Sequence, residues 1–223
     1  MGCKIQVRKR YQQELATLTK SVIKMGELSA SLIELAVNSL ASKDAALADK
    51  VLDEAAKIDD YELKIEETCI QLIVRQQPVA DDLRAIISYL RIIGDFDRIS
   101  DLASNIAKIT KQSIDRPLIK PLIDIPRMSR LTQEMVRCAL NALEQGSVLE
   151  CIQHLSEKDN EVDALWYQVY RELVSMMIEN PRIISDATDL LLVARYLERM
   201  ADHACNIGSR LIYMFTGERR KLQ

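Results

Sequence analysis

FDRISDLASNIA, residues 96–107, and LERMADHACNIG, residues 197–208, are two copies of one pattern. In each copy an acidic residue, an arginine, a second acid, an alanine and an Asn-Ile pair follow in the same order. The segments before them also correspond, since IDDYELKIEE ahead of QQPVADDLR parallels VDALWYQVYRE ahead of ENPRIISD. A duplicated structural unit explains this self-similarity better than chance does. The chain therefore consists of two related halves.

Each half is expected to contain three long helices, because breaks in the sequence are few and the apolar residues between them recur at helical spacing. A helix of about 35 residues is about 50 Å long and is not stable alone, so three helices must share one apolar core. The predicted helices span residues 4–42, 44–77, 80–113, 125–145, 148–180 and 183–216.

We predict an all-α fold of two tandem antiparallel three-helix bundles related by internal duplication, at residues 1–115 and 127–223. The proline-marked segment 116–126 is the predicted linker between the bundles. Asp44, and either Asp81 or Asp82, are expected to cap helix starts, because a carboxylate oxygen can accept from the free N–H groups of a first turn.

Composition restricts the class of protein. The formal net charge is −3, and no segment is strongly basic until the short Arg-Arg-Lys run near the C-terminus, so nothing suggests nucleic acid as a partner. No run of 18 or more apolar residues exists, so no membrane-spanning helix is expected. None of the cysteines forms a Cys-x-x-Cys pair, and we interpret most of them as small buried apolar residues.

The repeated pattern places oxygen-bearing side chains in a line on one helix face. Glu198 and Asp202 are four residues apart, as are Asp97 and Asp101, and an asparagine follows one turn later in each half, at Asn206 or Asn105. Two like charges at this spacing cost a few tenths of a kcal/mol, which a shared divalent cation would reverse. No lysine stands in register to neutralise the strip of helix six. The strips lie away from the apolar stripe of their own helix, so we expect them at an exposed edge of the bundle.

Helix five offers a second pair of acids, Asp159 and Asp163, at the same four-residue spacing. Four carboxylates from helices five and six could then meet at the surface. All-oxygen coordination favours magnesium, calcium or manganese, while iron and zinc remain open. The simple alternative is a solvated charged face, which is the usual role of a single acid pair, and residue chemistry alone does not decide between the two.

At these residues the sequence resembles the PhoU family of phosphate-uptake regulators, over nearly the whole chain. The resemblance rests on the duplicated acid-xxx-Asp motifs, on QQPVADDLR before the third helix and on ENPR before the sixth. It implies a cytoplasmic, frequently homodimeric regulator without catalytic activity, associated with the membrane only through its partners. The implied partners are the cytoplasmic subunits of a phosphate ABC transporter and a sensor histidine kinase, whose phosphate-starvation signalling the protein restrains.

The resemblance also implies multinuclear metal sites of iron, zinc, magnesium or calcium on the bundle surface. Carried over to this sequence, the implied ligands are Asp159, Asp163, Glu198 and Asp202 in the second half, and Asp59, Asp97 and Asp101 in the first, with Asn105 and Asn206 as auxiliary groups. The sequence departs from the family pattern at Ala55, four residues before Asp59, where a ligand is lost. We therefore expect the first site to be weaker or empty.

Two other functional classes stay open. A di-metal carboxylate oxidase needs inward-facing Glu-x-x-His motifs, but Cys151 and Met200 stand three residues before His154 and His203, which disfavours it. A metal-independent helical scaffold for another transport system would use the same fold with simply hydrated acids. We expect His203 to be an ordinary structural histidine rather than a ligand.

Overall fold

The computed structural model describes the backbone of residues 2–220 and 222 and the side chains of residues 10–220 and 222. Within that part of the chain, all regular structure is helical and no strand is present, as the apolar spacing predicts. The six α-helices are α1 (Gly2–Ser42), α2 (Ala45–Gln76), α3 (Ala80–Gln112), α4 (Asp124–Gln145), α5 (Val148–Glu179) and α6 (Ile184–Thr216). A short 3-10 turn, Pro181–Ile183, precedes α6.

The helices pack in two sets of three. Helices α1, α2 and α3 contact one another, and so do α4, α5 and α6, which gives the two bundles expected from the duplication. The bundles also pack together through α1 against α4 and α3 against α6, so the buried aliphatic side chains form one continuous core. The division into domains at residues 116–126 stays a prediction.

Two contacts show how tightly the halves join. Gly26 of α1 is buried, and a Cβ atom there would lie 2.5 Å from both Phe96 of α3 and Leu140 of α4, so only glycine allows these three helices to converge. At the α3–α6 contact, Nδ1 of His203 lies 2.9 Å from Oδ1 of Asp95, and both side chains are largely buried. His203 is therefore part of the packing between the bundles.

Of the two helix starts predicted in the first half, the structure confirms one and contradicts the other. Asp44 caps α2, where its Oδ1 accepts from the N–H of Leu47 at 3.0 Å. The prediction that Asp81 or Asp82 caps α3 is wrong, because the extended residue Val79 holds the N-cap position and α3 begins directly after it. Both acids therefore lie inside the first turn, where their charges still favour the helix N-terminus.

The connection between the bundles, residues 113–123, contains no regular helix and is anchored at several points. Arg116 pairs with Asp186 and, at 2.8 Å, with Asp189, both on α6. Lys43 donates to the backbone oxygen of Ser113 at 2.6 Å, which fixes the end of α3 against the end of α1. None of the described helices combines the length and the hydropathy that a bilayer crossing requires.

Candidate functional site

The acids of the second half gather where α5 packs beside α6. We call Asp159, Asp163, Glu198 and Asp202 the C-terminal acidic cluster. Burial raises the pKa of Asp159 to about 6, and the charges of Asp163 and Asp202 add to the effect. Burial also raises the pKa of Asp163, with Asp202 again contributing. The two helices therefore bring their carboxylates close enough to repel one another, as the sequence predicts.

Glu198 is largely buried, with 12% of its side chain exposed. Burial and the charge of Asp202 raise its pKa to about 7, although Arg195 opposes the shift. One carboxylate oxygen pairs with Arg195, which is three residues earlier on α6. The other, Oε2, is buried without a hydrogen-bond partner among the described residues. An unsatisfied buried carboxylate oxygen is costly, so a bound cation would relieve a specific deficit here.

Although no lysine neutralises the acids of α6, Arg195 partly does so. Besides pairing with Glu198, its guanidinium lies over the ring of Trp166 on α5, 5.5 Å from the ring centroid. The strip therefore carries a cation of its own, at the three-residue rather than the four-residue spacing. Within the described part of the chain, Asp159, Asp163 and Asp202 form no ion pair with a basic side chain.

The carboxylates are neighbours rather than a finished coordination shell. Among the residues whose side chains are described, no three Asp, Glu, His or Cys side chains converge on one point at ligating distance. The donor set itself fits a hard cation, because it consists of carboxylate oxygens with an exposed amide, Asn206, one turn further on. The orphaned oxygen of Glu198 points to the same class of ligand.

The first half contains a matching group at α2 and α3, and it includes a residue that sequence reasoning missed. Burial raises the pKa of Glu62 to about 7, and Asp97, Glu66 and Asp59 add to the shift. Burial, together with Asp101 and Asp59, raises the pKa of Asp97 as well. We call Asp59, Glu62, Asp97 and Asp101 the N-terminal acidic cluster.

Glu62 supplies a fourth carboxylate in the half where the departure at Ala55 predicted a missing ligand. It follows Asp59 by three residues, so it lies on the same side of α2. The sequence signal that could have revealed it is Gly94, where a Cβ atom would lie 3.9 Å from Oε1 of Glu62. A small residue on α3 leaves room for a longer acid on α2.

The more exposed members of this group have ordinary surface contacts. Arg98 donates to Asp101 at 3.0 Å, and both side chains are more than half exposed. Lys108 donates to the side-chain oxygen of Asn105 at 3.3 Å. Asn105 is therefore engaged within its own helix, whereas Asn206 faces solvent.

A cavity of about 510 Å³ adjoins the C-terminal acidic cluster and contains Asp159, Asp202 and Asn206 in its wall. The remainder of the wall comes from the end of α6, the residues after it and Arg91 of α3. The acids of the C-terminal acidic cluster therefore border a space large enough for a small molecule.

Comparison with known proteins identifies the duplicated unit. The PhoU domain profile matches the chain twice, at residues 22–110 and 125–211. The chain is 35% identical to a Rhizobium meliloti protein over 93% of this chain and 87% of that protein, and 37% identical to an Aquifex aeolicus protein over 92% and 93%. Both carry the name "Phosphate-specific transport system accessory protein PhoU homolog".

Solved structures agree with the sequence matches. PhoU from Pseudomonas aeruginosa superposes with a TM-score of 0.88 at 32% identity, over 93% of this chain and 100% of that one. The phosphate transport system regulatory protein PhoU from Streptococcus pneumoniae superposes with a TM-score of 0.87 at 29% identity, over 95% and 100%. Profile, relatives and fold lead to one conclusion: the chain belongs to the PhoU family.

Proposed function

We propose that this chain is a regulatory accessory protein of a phosphate transport system and has no catalytic activity of its own. The support is that relatives named as accessory or regulatory proteins of phosphate transport systems align with it over most of their length. In this proposal the protein acts in the cytoplasm as a homodimer. It contacts the cytoplasmic subunits of the transporter and a sensor histidine kinase, and it restrains phosphate-starvation signalling when phosphate is plentiful.

We further propose that both acidic clusters bind divalent or trivalent cations. The observation that carries this is Glu198, whose buried Oε2 has no partner among the described residues and whose pKa is raised to about 7. Asp159, Asp163, Glu198 and Asp202 would hold one site; Asp59, Glu62, Asp97 and Asp101 would hold the other. Bound cations would neutralise the repulsion and fix the paired helices as a docking surface.

Elemental analysis of protein purified without chelator tests the metal sites. Replacing Glu198 and Asp202 with alanine should remove the metal of the C-terminal acidic cluster while circular dichroism shows unchanged helix content. The control replaces Glu157 and Glu179, exposed acids of α5 outside the cluster, and should retain the metal. Equal metal content in both double variants would contradict the proposal.

Deletion of the gene tests the regulatory role. A strain without the protein should express phosphate-starvation genes in high phosphate, and expression that stays repressed would refute the role. Complementation with the Glu198 and Asp202 double variant separates the metal-dependent regulator from the metal-independent scaffold, since only the scaffold would restore repression without metal. The oxidase alternative gains no support, because His203 pairs with Asp95 rather than with either acidic cluster.

A further inference from the structure

Arginines gather where the end of α6 meets α3, although the whole chain carries a net charge of −3. Tyr213 lies at the centre of this region, with the guanidinium of Arg84 5.9 Å and that of Arg219 5.5 Å from its ring centroid. Arg91, Arg210 and Arg220 line the adjacent cavity together with Arg219. We call the five arginines, Arg84, Arg91, Arg210, Arg219 and Arg220, the arginine patch. Such a local excess of positive charge in an acidic protein favours an anionic ligand.

Part of the arginine patch lines the cavity of about 510 Å³ described above. Residues after α6 fold back over the helix, where the N–H of Leu222 donates to Oγ of Ser209 at 3.2 Å. Leu222 also covers Gly208, where a Cβ atom would lie 2.8 Å from its Cδ1. The returning chain covers one side of the space, so the arginines line a partly open pocket rather than a flat surface.

The arginines on the helices are short of acceptors. Within the described residues neither Arg91 nor Arg210 forms an ion pair, and Nε of Arg210 is buried without a hydrogen-bond partner. Arg220 pairs at 3.1 Å only with Glu218, in a contact where both side chains are mostly exposed. A buried guanidinium N–H without an acceptor is costly, and the more exposed Arg91 beside it has free donors, so this wall is suited to a ligand that supplies several oxygens.

The two acids in the cavity wall determine where an anion can sit. Asp159 and Asp202 belong to the C-terminal acidic cluster and would repel an anion placed beside them. Arg91 and Arg210 would attract it, and their forked donors match the oxygens of a phosphoryl group better than a lysine would. The volume accommodates either a hydrated phosphate or a nucleotide.

We propose that this cavity binds a small phosphoryl-bearing anion through Arg91 and Arg210, with Arg219 and Arg220 closing over it. The site is inferred from the arginines and the cavity alone. The choice of inorganic phosphate as the first probe rests on the proposed function. A nucleoside polyphosphate presents the same chemistry and is the second probe.

Isothermal titration calorimetry of the full chain tests the site. A chelator is present, so that metal at the acidic cluster cannot supply the binding. Inorganic phosphate and ATP are titrated separately, and at least one should bind saturably at a single site. Binding of phosphate alone assigns the site to the free ion, and tighter binding of ATP assigns it to a nucleotide.

Variants connect the binding to the cavity. Arg210→Met should weaken binding at least about tenfold, because charge-assisted hydrogen bonds to the anion are lost. Arg91→Met provides a second test if the first variant does not fold. The control is Arg199→Met, an arginine of the same helix outside the cavity, which should bind as the unchanged protein does.

Two results would overturn the proposal. One is the absence of saturable binding of either probe up to about 10 mM, a range that already includes very weak complexes. The other is unchanged binding in both cavity variants. Neither result touches the proposed function, which the gene deletion tests in cells without reference to this cavity. Absence of binding by the unchanged protein, together with intact repression of starvation genes in cells that contain it, would remove the site and leave the regulatory role standing.

Discussion

The two acidic clusters arise from one duplicated pattern but are built differently. In the duplicated pattern, Asp159 of the second half occupies the position of Ala55 in the first. Likewise, Trp166 occupies the position of Glu62, and Arg195 occupies that of Gly94. Where the second half stacks an arginine on an indole ring, the first half inserts a carboxylate into the space beside a glycine. Each cluster therefore keeps four acids, three at corresponding positions and one at a different position. The number of negative charges persists, while the means of stabilising them differs.

The two clusters therefore differ in the positive charge that balances their carboxylates, and this difference can be tested. Arg195 pairs with a Glu198 side chain that is only 12% exposed. In the first half the nearest counterpart, Arg98 with Asp101, lies in water, where ion pairs contribute little. The C-terminal acidic cluster should therefore tolerate the absence of metal better than the N-terminal one.

The largest effect is expected from pH. Glu62 and Glu198 have pKa values raised to about 7, so the folded protein holds protons that the unfolded chain releases from about pH 4.5 upward. In chelator, each of the two glutamates should therefore lower the free energy of unfolding by about 2 kcal/mol between pH 5 and pH 7.5. Denaturant titrations at several pH values measure it.

Glutamine variants divide that loss between the clusters. Glu62→Gln and Glu198→Gln should each flatten the pH dependence, and together they should remove most of it, because the amide does not ionise. Saturating metal should reverse the trend, since cation binding requires the deprotonated form. A metal-free protein that becomes more stable as the pH rises through this window would contradict the assignment.

Removing the built-in cation should give the next largest effect. Arg195→Met leaves Glu198 buried beside Asp202 without its pairing group, which should lower the free energy of unfolding at pH 8 in chelator by about 1–2 kcal/mol. Arg199→Met is the control on the same helix and should change stability little. Equal losses in the two variants would show that the pairing of Arg195 is not what stabilises this cluster.

Gly94→Arg gives the first half the cation of the second. The arginine should attract Glu62, raise stability in chelator by about 1 kcal/mol beyond any helix-propensity gain, and weaken metal binding at the N-terminal acidic cluster. Gly94→Ala is the matched control, because it adds helix propensity without charge and a Cβ atom has room there. Metal titration and chemical denaturation of both variants separate the two contributions.

The smallest effect concerns helix starts. Asp44 caps α2 through a 3.0 Å hydrogen bond, whereas the corresponding Ser147 makes no side-chain cap bond at α5. Asp44→Ala should therefore lower the free energy of unfolding by about 1 kcal/mol, and Ser147→Ala by much less. Thermal denaturation of the pair measures the difference, and a larger loss in the serine variant would reverse this part of the comparison.

Spacing along single helices was enough to predict much of the molecule. The duplicated motif indicates three helices per half, and the four-residue spacing of acids on α5 and α6 predicts their meeting, because each spacing defines one helix face. Glu62 was missed because its role depends on a gap across two helices, created by Gly94, which no pattern within α2 reveals. Arg195 was missed because it pairs with Glu198 at a three-residue spacing, whereas the search for a neutralising cation considered lysines in register with the strip. The first turn of α3 was misassigned because Val79, which has no capping group, holds the N-cap.

The convergence of Phe96 and Leu140 over Gly26 has a consequence for how the polypeptide can be divided. Side chains from both repeats complete the same core, so an isolated repeat would expose part of its aliphatic core to water. Proteolytic nicking between residues 113 and 123 should therefore leave two fragments that stay associated, and separately expressed fragments should fold by finding each other. A single repeat would therefore need a second copy of itself to cover that surface, so the duplication supplies within one chain the partner that each repeat requires.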